Sequence, residues 1–187
     1  MNMARFSLVP LVFVSSMLAA APVSEEQMIT KGAAASAALL QKLGGEVKTN
    51  MQSHGPVKTL EFCSLNALSM TDQVALETGT RIKRLTLKER NPVNAAAGED
   101  EKLLEKWEQM VKNGQTLPAY ELTKTANGTM AYYKPLLINN EACLKCHGDI
   151  AADSPLAKAL KATYPEDKAT GYKMGDLRGM IKVEIAR

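Results

Sequence analysis

The feature that most constrains this chain of 187 residues is the short segment Cys143-Leu144-Lys145-Cys146-His147. The spacing CxxCH is the attachment sequence of c-type haem. Two thiols three positions apart can add to the two vinyl groups on neighbouring edges of a porphyrin, and the next residue then projects its imidazole beneath the iron. We therefore expect one covalent haem c, attached through Cys143 and Cys146, with His147 as the proximal iron ligand.

Zinc sites and redox dithiols also use closely spaced cysteines. A structural zinc site needs a second ligand pair, and the remaining candidates, His54 and Cys63, are far apart in the sequence. A thioredoxin-type dithiol gains nothing from a following histidine and needs its own βαβ context. The CxxCH segment therefore favours haem over both.

The N-terminus has the order of regions found in a secretory signal peptide. Arg5 supplies a basic start, positions 6–21 are almost wholly apolar, and three alanines close the segment. Pro10 interrupts this stretch, which is shorter than the roughly 20 residues of a membrane span. We expect residues 1–21 to be a signal peptide cleaved near positions 20–24. Residues 22–187 would then form one periplasmic domain with no stable membrane span, in the compartment where haem c is attached.

Composition excludes several other classes of protein. With 45% hydrophobic and 23% charged residues, the chain is globular rather than disordered. Its 23 Lys and Arg against 20 Asp and Glu give a net charge of +3, too small for a nucleic-acid binder without a concentrated basic patch. Three cysteines are too few for a disulfide scaffold. The length leaves no room for an attached kinase or cyclase.

Helical patterns dominate the first half of the mature chain. Ser24 followed by Gln27 has the pattern of a capping box, which starts a helix. Apolar residues then recur at a spacing of four, as on one helix face: Ala35, Leu39, Leu43, Val47 and Met51. His54, Gly55 and Pro56 interrupt the pattern, and proline suits the first turn of a second helix. That helix carries a second stripe: Leu60, Cys63, Ala67 and Met70.

The second half of the chain mixes strands with short helices. Residues 80–87 are extended in pattern, an acidic run at 99–101 starts a helix, and Asn127-Gly128 is a strong hairpin signal between residues 120–125 and 129–134. A short helix is expected at 154–163 and a strand at 181–185, with the CxxCH segment on a loop between hairpin and final strand. This order predicts an α+β fold with an antiparallel sheet.

The sixth iron ligand is expected from a residue earlier in the chain, because most of the mature sequence precedes CxxCH. Cys63 remains after haem takes its pair, and an unpaired thiol is a liability in an oxidising compartment unless something occupies it. A thiolate ligand would favour Fe(III) and lower the reduction potential. His54 and a methionine are the alternatives, along with water or no ligand. The candidate methionines are Met51, Met70, Met174 and Met180.

Four segments resemble the Tll-type single-haem c domain family, formerly a family of unknown function. They are Phe62-Cys63-Ser64, RIKRLTLKERNPVNA at 81–95, EACLKCHG at 141–148 and YPEDKATGYKMGDLRG at 164–179. The resemblance covers nearly all of the mature chain and implies a PAS-like antiparallel sheet with a long N-terminal helix. It implies thioether attachment at Cys143 and Cys146, with His147 proximal and Cys63 distal. Relatives are often fused to signalling outputs, whereas this chain stops at Arg187, so we expect no built-in output.

Two functions follow as expectations. The first is electron transfer or redox sensing by a monohaem cytochrome with a separate redox or signalling partner. The alternative is an extracytoplasmic gas sensor in which NO or CO displaces the distal ligand. A haem peroxidase would need an open distal site with an acid–base residue, and the chain has only two histidines, so we expect no enzymatic activity. Two further groups of residues have structural interpretations. The basic residues of the segment at 81–90 are expected to form a solvated strand face rather than a propionate site: Arg81, Lys83, Arg84, Lys88 and Arg90. The aromatic residues Trp107, Tyr132 and Tyr133 are expected in the hydrophobic core.

Overall fold

A long helix and a four-stranded antiparallel sheet make up most of the structure, a computed structural model that describes residues 23–125 and 129–185. The expected signal peptide at 1–21 and the expected turn at Asn127-Gly128 lie outside the described residues. The elements are α1 (Glu25–Thr78), β1 (Thr80–Leu85), a 3-10 helix (Pro92–Asn94), α2 (Glu99–Lys112), β2 (Glu121–Lys124), β3 (Met130–Leu137), α3 (Glu141–His147), α4 (Pro155–Thr163) and β4 (Leu177–Ile185). The predicted α+β class with a long N-terminal helix is confirmed.

Helix α1 begins at the predicted capping box and bends at the predicted interruption. The hydroxyl of Ser24 accepts a hydrogen bond from the Gln27 backbone N–H at 3.2 Å, and the Gln27 side chain accepts one from the Ser24 N–H at 3.0 Å. Gly55 has φ 76° and ψ −177°, a conformation that favours glycine, so the helix kinks there. Pro56 directly follows this non-helical residue and lies in the first turn of the second helical segment, as predicted, and Gly79 ends α1 with φ 61°.

The sheet has the order β1-β4-β3-β2, with every neighbouring pair antiparallel. The last strand therefore lies in the middle, beside the first. Pairing of β1 with β4 is regular from Thr80 opposite Ile185 to Leu85 opposite Met180. In β3 the register shifts between Leu136 and Leu137, next to the turn that leads to α3. The antiparallel sheet that the resemblance implied is confirmed.

Each face of the sheet is covered by a helix, and the two apolar clusters so formed are the main core. The first half of α1 and its final turn pack on one face, where Tyr132 of β3 is buried. Helix α2 packs on the other face, where Trp107 is fully buried beside Tyr133. A Cβ atom on Gly32 would overlap the ring of Tyr132, so glycine lets α1 approach the sheet this closely. Trp107, Tyr132 and Tyr133 are core residues, as predicted.

The segment between β3 and β4 lies against α1 beyond the kink. Leu60 of α1 packs with Leu156 and Leu160 of α4, and Cys146 borders the same cluster. The CxxCH segment lies on the short helix α3 and not on a loop, which corrects the prediction. Within the described ranges, no helix combines the length and apolarity needed to cross a membrane.

Candidate cofactor site

Helix α3 brings the three CxxCH side chains to neighbouring positions on one helix face. Asn140 caps this helix, accepting a hydrogen bond from the Ala142 N–H at 2.8 Å through its side-chain oxygen. In a helix, residues three and four positions apart lie on the same side, so Cys143 is adjacent to both Cys146 and His147. Gly148 ends the turn with its N–H donating to the Leu144 carbonyl at 2.8 Å. All three side chains line one cavity.

A backbone carbonyl orients the imidazole of His147. Its Nδ1 lies 2.7 Å from the carbonyl oxygen of Ala169. A carbonyl oxygen only accepts, so Nδ1 carries the hydrogen and Nε2 keeps its lone pair for a metal. Burial, together with the positive charges of Arg178 and Arg90, lowers the pKa of His147 to about 3. The ring is therefore neutral at physiological pH, the form that ligates metals.

Arg90 joins the CxxCH helix to the segment before β4. Its Nε donates to the carboxylate of Asp167 at 3.0 Å, and its Nη2 donates to the carbonyls of Cys146 at 2.7 Å and Ala169 at 3.3 Å. The Asp167 carboxylate also accepts from the Ala169 N–H at 2.8 Å. The carbonyl that orients His147 is thus fixed by a buried ion pair, in which 13% of Arg90 and 8% of Asp167 is exposed.

The cavity has a volume of about 320 Å³ and lies between α1 and α3. Cys63 of α1 lines it, together with Cys143, Cys146 and His147 of α3. Most of the α1 side is apolar: Leu43, Val47, Met51, Leu60, Ala67 and Leu68. These four side chains border a cavity and do not meet at one point. Among the described residues, no three His, Cys, Asp or Glu side chains converge as a metal centre of their own.

Cys63 lies on the part of α1 beyond the kink, on the same face as Leu60 and Ala67. Burial raises the pKa of its thiol, and proximity to Cys146 raises it further, while Arg84 and Arg90 act in the opposite direction. Burial also raises the pKa of Cys146. Both thiols are therefore protonated at neutral pH in the protein as it stands, and a bound metal would have to displace the proton of Cys63.

Another part of the cavity lining is polar and positively charged. Three arginines line it, Arg84 from β1, Arg90 after β1 and Arg178 from β4. Asn91 and Asn94 add amide groups, and Tyr164 adds a phenol. A group that fills this cavity would therefore meet sulfur atoms, apolar side chains and guanidinium groups.

The sequence model of the family described as Tll0287-like matches residues 19–186. The chain belongs to the Tll0287-like family. Its structure is similar to the crystal structure of the cyanobacterial haem protein Tll0287, with a TM-score of 0.63 and 24% identity, covering 88% of this chain and 97% of that one. At this identity the similarity concerns the fold. No match was found among curated protein sequences.

The structure of this Tll0287-like chain separates the candidate distal ligands. Cys63 and Met51 line the cavity. His54 is exposed beside the kink and does not line it. Met174 is 49% exposed, and Met180 is fully buried in the core under α2. Met70 also lies outside the cavity lining. Of these candidate distal ligands, Cys63 and Met51 are therefore the two that line the cavity.

The basic segment at 81–90 divides into three environments. Arg81 and Lys83 are exposed, as expected for a solvated strand face, whereas Arg84 and Arg90 line the cavity. Lys88 donates to the Thr170 carbonyl at 2.8 Å and lies over the ring of Tyr172. Of the cavity arginines, Arg178 was not identified from the sequence as a site residue. Nothing in a single sequence marks it, because its burial depends on the position of β4 in the middle of the sheet.

Proposed function

We propose that this protein is an exported, periplasmic monohaem c-type cytochrome that acts in electron transfer or redox sensing with a separate protein partner. Cys143 and Cys146 would form the thioethers, and His147 and Cys63 would be the axial ligands. One observation carries the proposal: these four side chains line the same cavity, two elements facing each other across it. The similarity in fold to a haem protein supports it.

The residues of the cavity fit a haem. His147 has a free Nε2 because the Ala169 carbonyl occupies the other ring nitrogen, and the apolar α1 side would keep water from the ring. When bound, haem c supplies a one-electron iron couple, and the protein sets its potential through ligands, burial and hydrogen bonds. A thiolate from Cys63 on the far side would complete six-coordination and stabilise the ferric state.

A second function is favoured by the position of Cys63. It lies on α1, beyond the bend at Gly55, whereas His147 lies on α3. Displacement of Cys63 by NO or CO would release α1 from the group held by α3, which is the change a gas sensor needs to signal to a partner. Electron transfer requires that the bond between Cys63 and the iron persist, whereas gas sensing requires that NO or CO replace it.

Titration of the holoprotein with CO and NO, beside a potentiometric reduction, separates the two functions. We expect one covalent haem, a low-spin spectrum in the ferric form and a reversible one-electron reduction, with no rapid CO binding. Rapid CO or NO binding to the reduced form would instead establish the sensor. A colourless exported protein with the mass of the bare polypeptide contradicts both.

Replacing Cys63 by alanine is expected to leave the haem covalently bound while the thiolate-type ferric spectrum disappears. The reduction potential should rise by on the order of 0.1 V, part of the roughly 0.8 V range that axial ligands span. Electron paramagnetic resonance and potentiometry measure both changes. Ser64→Ala is the matched control, because the Ser64 hydroxyl donates to the Glu61 carbonyl on the same helix and Ser64 is not among the residues that line the cavity. A Cys63→Ala spectrum identical to wild type assigns the distal position elsewhere, with Met51 next.

A further inference from the structure

Two arginines of the cavity have no acidic partner. Within residues 23–125 and 129–185, neither Arg84 nor Arg178 forms an ion pair, whereas Arg90 pairs with Asp167 and Arg81 with Glu184. Arg84 also makes no side-chain hydrogen bond within these ranges, although it is half-buried. A positive charge that is partly withdrawn from water and has no compensating partner is unfavourable. The two side chains therefore leave charge and donor capacity for a ligand.

Arg178 is oriented although its charge is not neutralised. Its Nη1 donates to the hydroxyl of Thr86 at 3.0 Å and to the Lys88 carbonyl at 3.3 Å, and its guanidinium lies 5.5 Å from the ring centre of Tyr172. These contacts hold one edge of the guanidinium group. A guanidinium has five N–H donors, so donors remain for an acceptor in the cavity.

The same two arginines stand where the main cavity meets a second one. A neighbouring cavity of about 230 Å³ lies between the first half of α1 and the sheet. The two cavities share five residues, among them His147, Arg84 and Arg178. The others are Leu43 and Asn94. A group bound beside His147 would therefore lie next to this positively charged junction.

We propose that Arg84 and Arg178 bind the propionate carboxylates of the haem, with Asn94 as a further donor. This inference rests on the proposed function and adds residues to it. The planar guanidinium matches a carboxylate with two parallel N–H···O bonds, and the two propionates supply the negative charge that the protein does not. The same chemistry would accept a small free carboxylate, so the test has to separate the two sources.

The test is the pH dependence of the holoprotein's reduction potential, compared between wild type, Arg84→Gln and Arg178→Gln. A carboxylate beside an arginine has its pKa lowered by about one to three units. Either substitution should therefore move the propionate step in the potential–pH curve upward by roughly one pH unit. By contrast, loss of a positive charge far from the propionates lowers the reduction potential at every pH and leaves the pH of the propionate step unchanged. Arg81→Gln is the control, because Arg81 is exposed and outside the cavity.

The outcomes are distinct. If both variants contain haem and the pH of the propionate step is unchanged, the propionate assignment is overturned and the proposed function stands. If the wild-type protein contains no haem, the proposed function itself is overturned. Acetate added to wild type at constant ionic strength tests the second source: an acetate-dependent potential with an unmoved step assigns the pair to a free carboxylate.

A second measurement needs no substitution and applies if a variant fails to retain haem. The full-length chain produced without haem is titrated with zinc protoporphyrin IX and with its dimethyl ester, followed by fluorescence. We expect the diacid to bind roughly tenfold more tightly or better, because the ester cannot form charge-assisted bonds with guanidinium groups. Equal affinities overturn the assignment.

Discussion

A chain in which Cys143 and Cys146 are both replaced by alanine is expected to carry no covalently attached haem. The two sulfur atoms are the only proposed attachment points, and each sits in a different apolar environment. Cys143 borders the cluster of Ile138, Ala169 and Tyr172, whereas Cys146 borders the cluster of Leu60 and the α4 leucines. Haem staining after denaturing electrophoresis and intact mass both measure the loss, which should be complete.

Cys63→Ala is the control for this experiment, since it removes the third thiol of the chain and should leave the covalent mass unchanged. If the double variant instead retains haem after denaturation, the thioether assignment is wrong. If Cys63→Ala loses it, Cys63 is an attachment residue and not an axial ligand.

Replacing Arg90 by methionine is expected to lower the free energy of unfolding by about 3–5 kcal/mol. Removing one partner of a buried ion pair has an effect of this size, because the remaining charge is left in a poorly solvated place. Here the remaining charge is Asp167, with 8% of its side chain exposed. The carbonyls of Cys146 and Ala169 would also lose a charged donor. Urea denaturation, compared at equal haem content, measures the change.

Arg81→Met is the matched control. Arg81 pairs with Glu184 at 3.1 Å, but 59% of the arginine side chain is exposed. Exposed pairs contribute about 0–1 kcal/mol, so this variant should unfold near the wild-type midpoint. Equal destabilisation by the two substitutions would show that Arg90 acts only as a surface charge and does not organise the cofactor site.

Local signals in the sequence were sufficient for much of the fold. The Ser24 capping box and the capping serine of α4, Ser154, specify hydrogen bonds between residues close in sequence, and the break at Gly55 reflects that residue's own backbone conformation. Such patterns do not depend on the rest of the chain. The prediction of a loop around CxxCH failed because a helix of only seven residues has too few positions to show a period.

The polar wall of the cavity could not be predicted in the same way. Arg90 and Asp167 are 77 positions apart and meet only after β4 enters the sheet between β1 and β3. Arg178 and Thr86 are 92 positions apart. Contacts over such distances are produced by the topology, and no periodicity in a single sequence reports them. The segment at 81–90 therefore has the composition of a solvated strand face. In the structure Arg84 and Arg90 of this segment line the cavity.

The Ala169 carbonyl has a consequence for the electronic character of the site. This oxygen receives hydrogen bonds from both His147 and Arg90. A neutral amide oxygen engaged by a cation attracts the imidazole proton less than a free carboxylate would, so the ring is kept from acquiring imidazolate character. If a haem were held by His147 and Cys63 as proposed, the imidazole would be the weaker electron donor to the iron and the thiolate the stronger one. The preference for ferric over ferrous iron would then depend chiefly on Cys63 of α1.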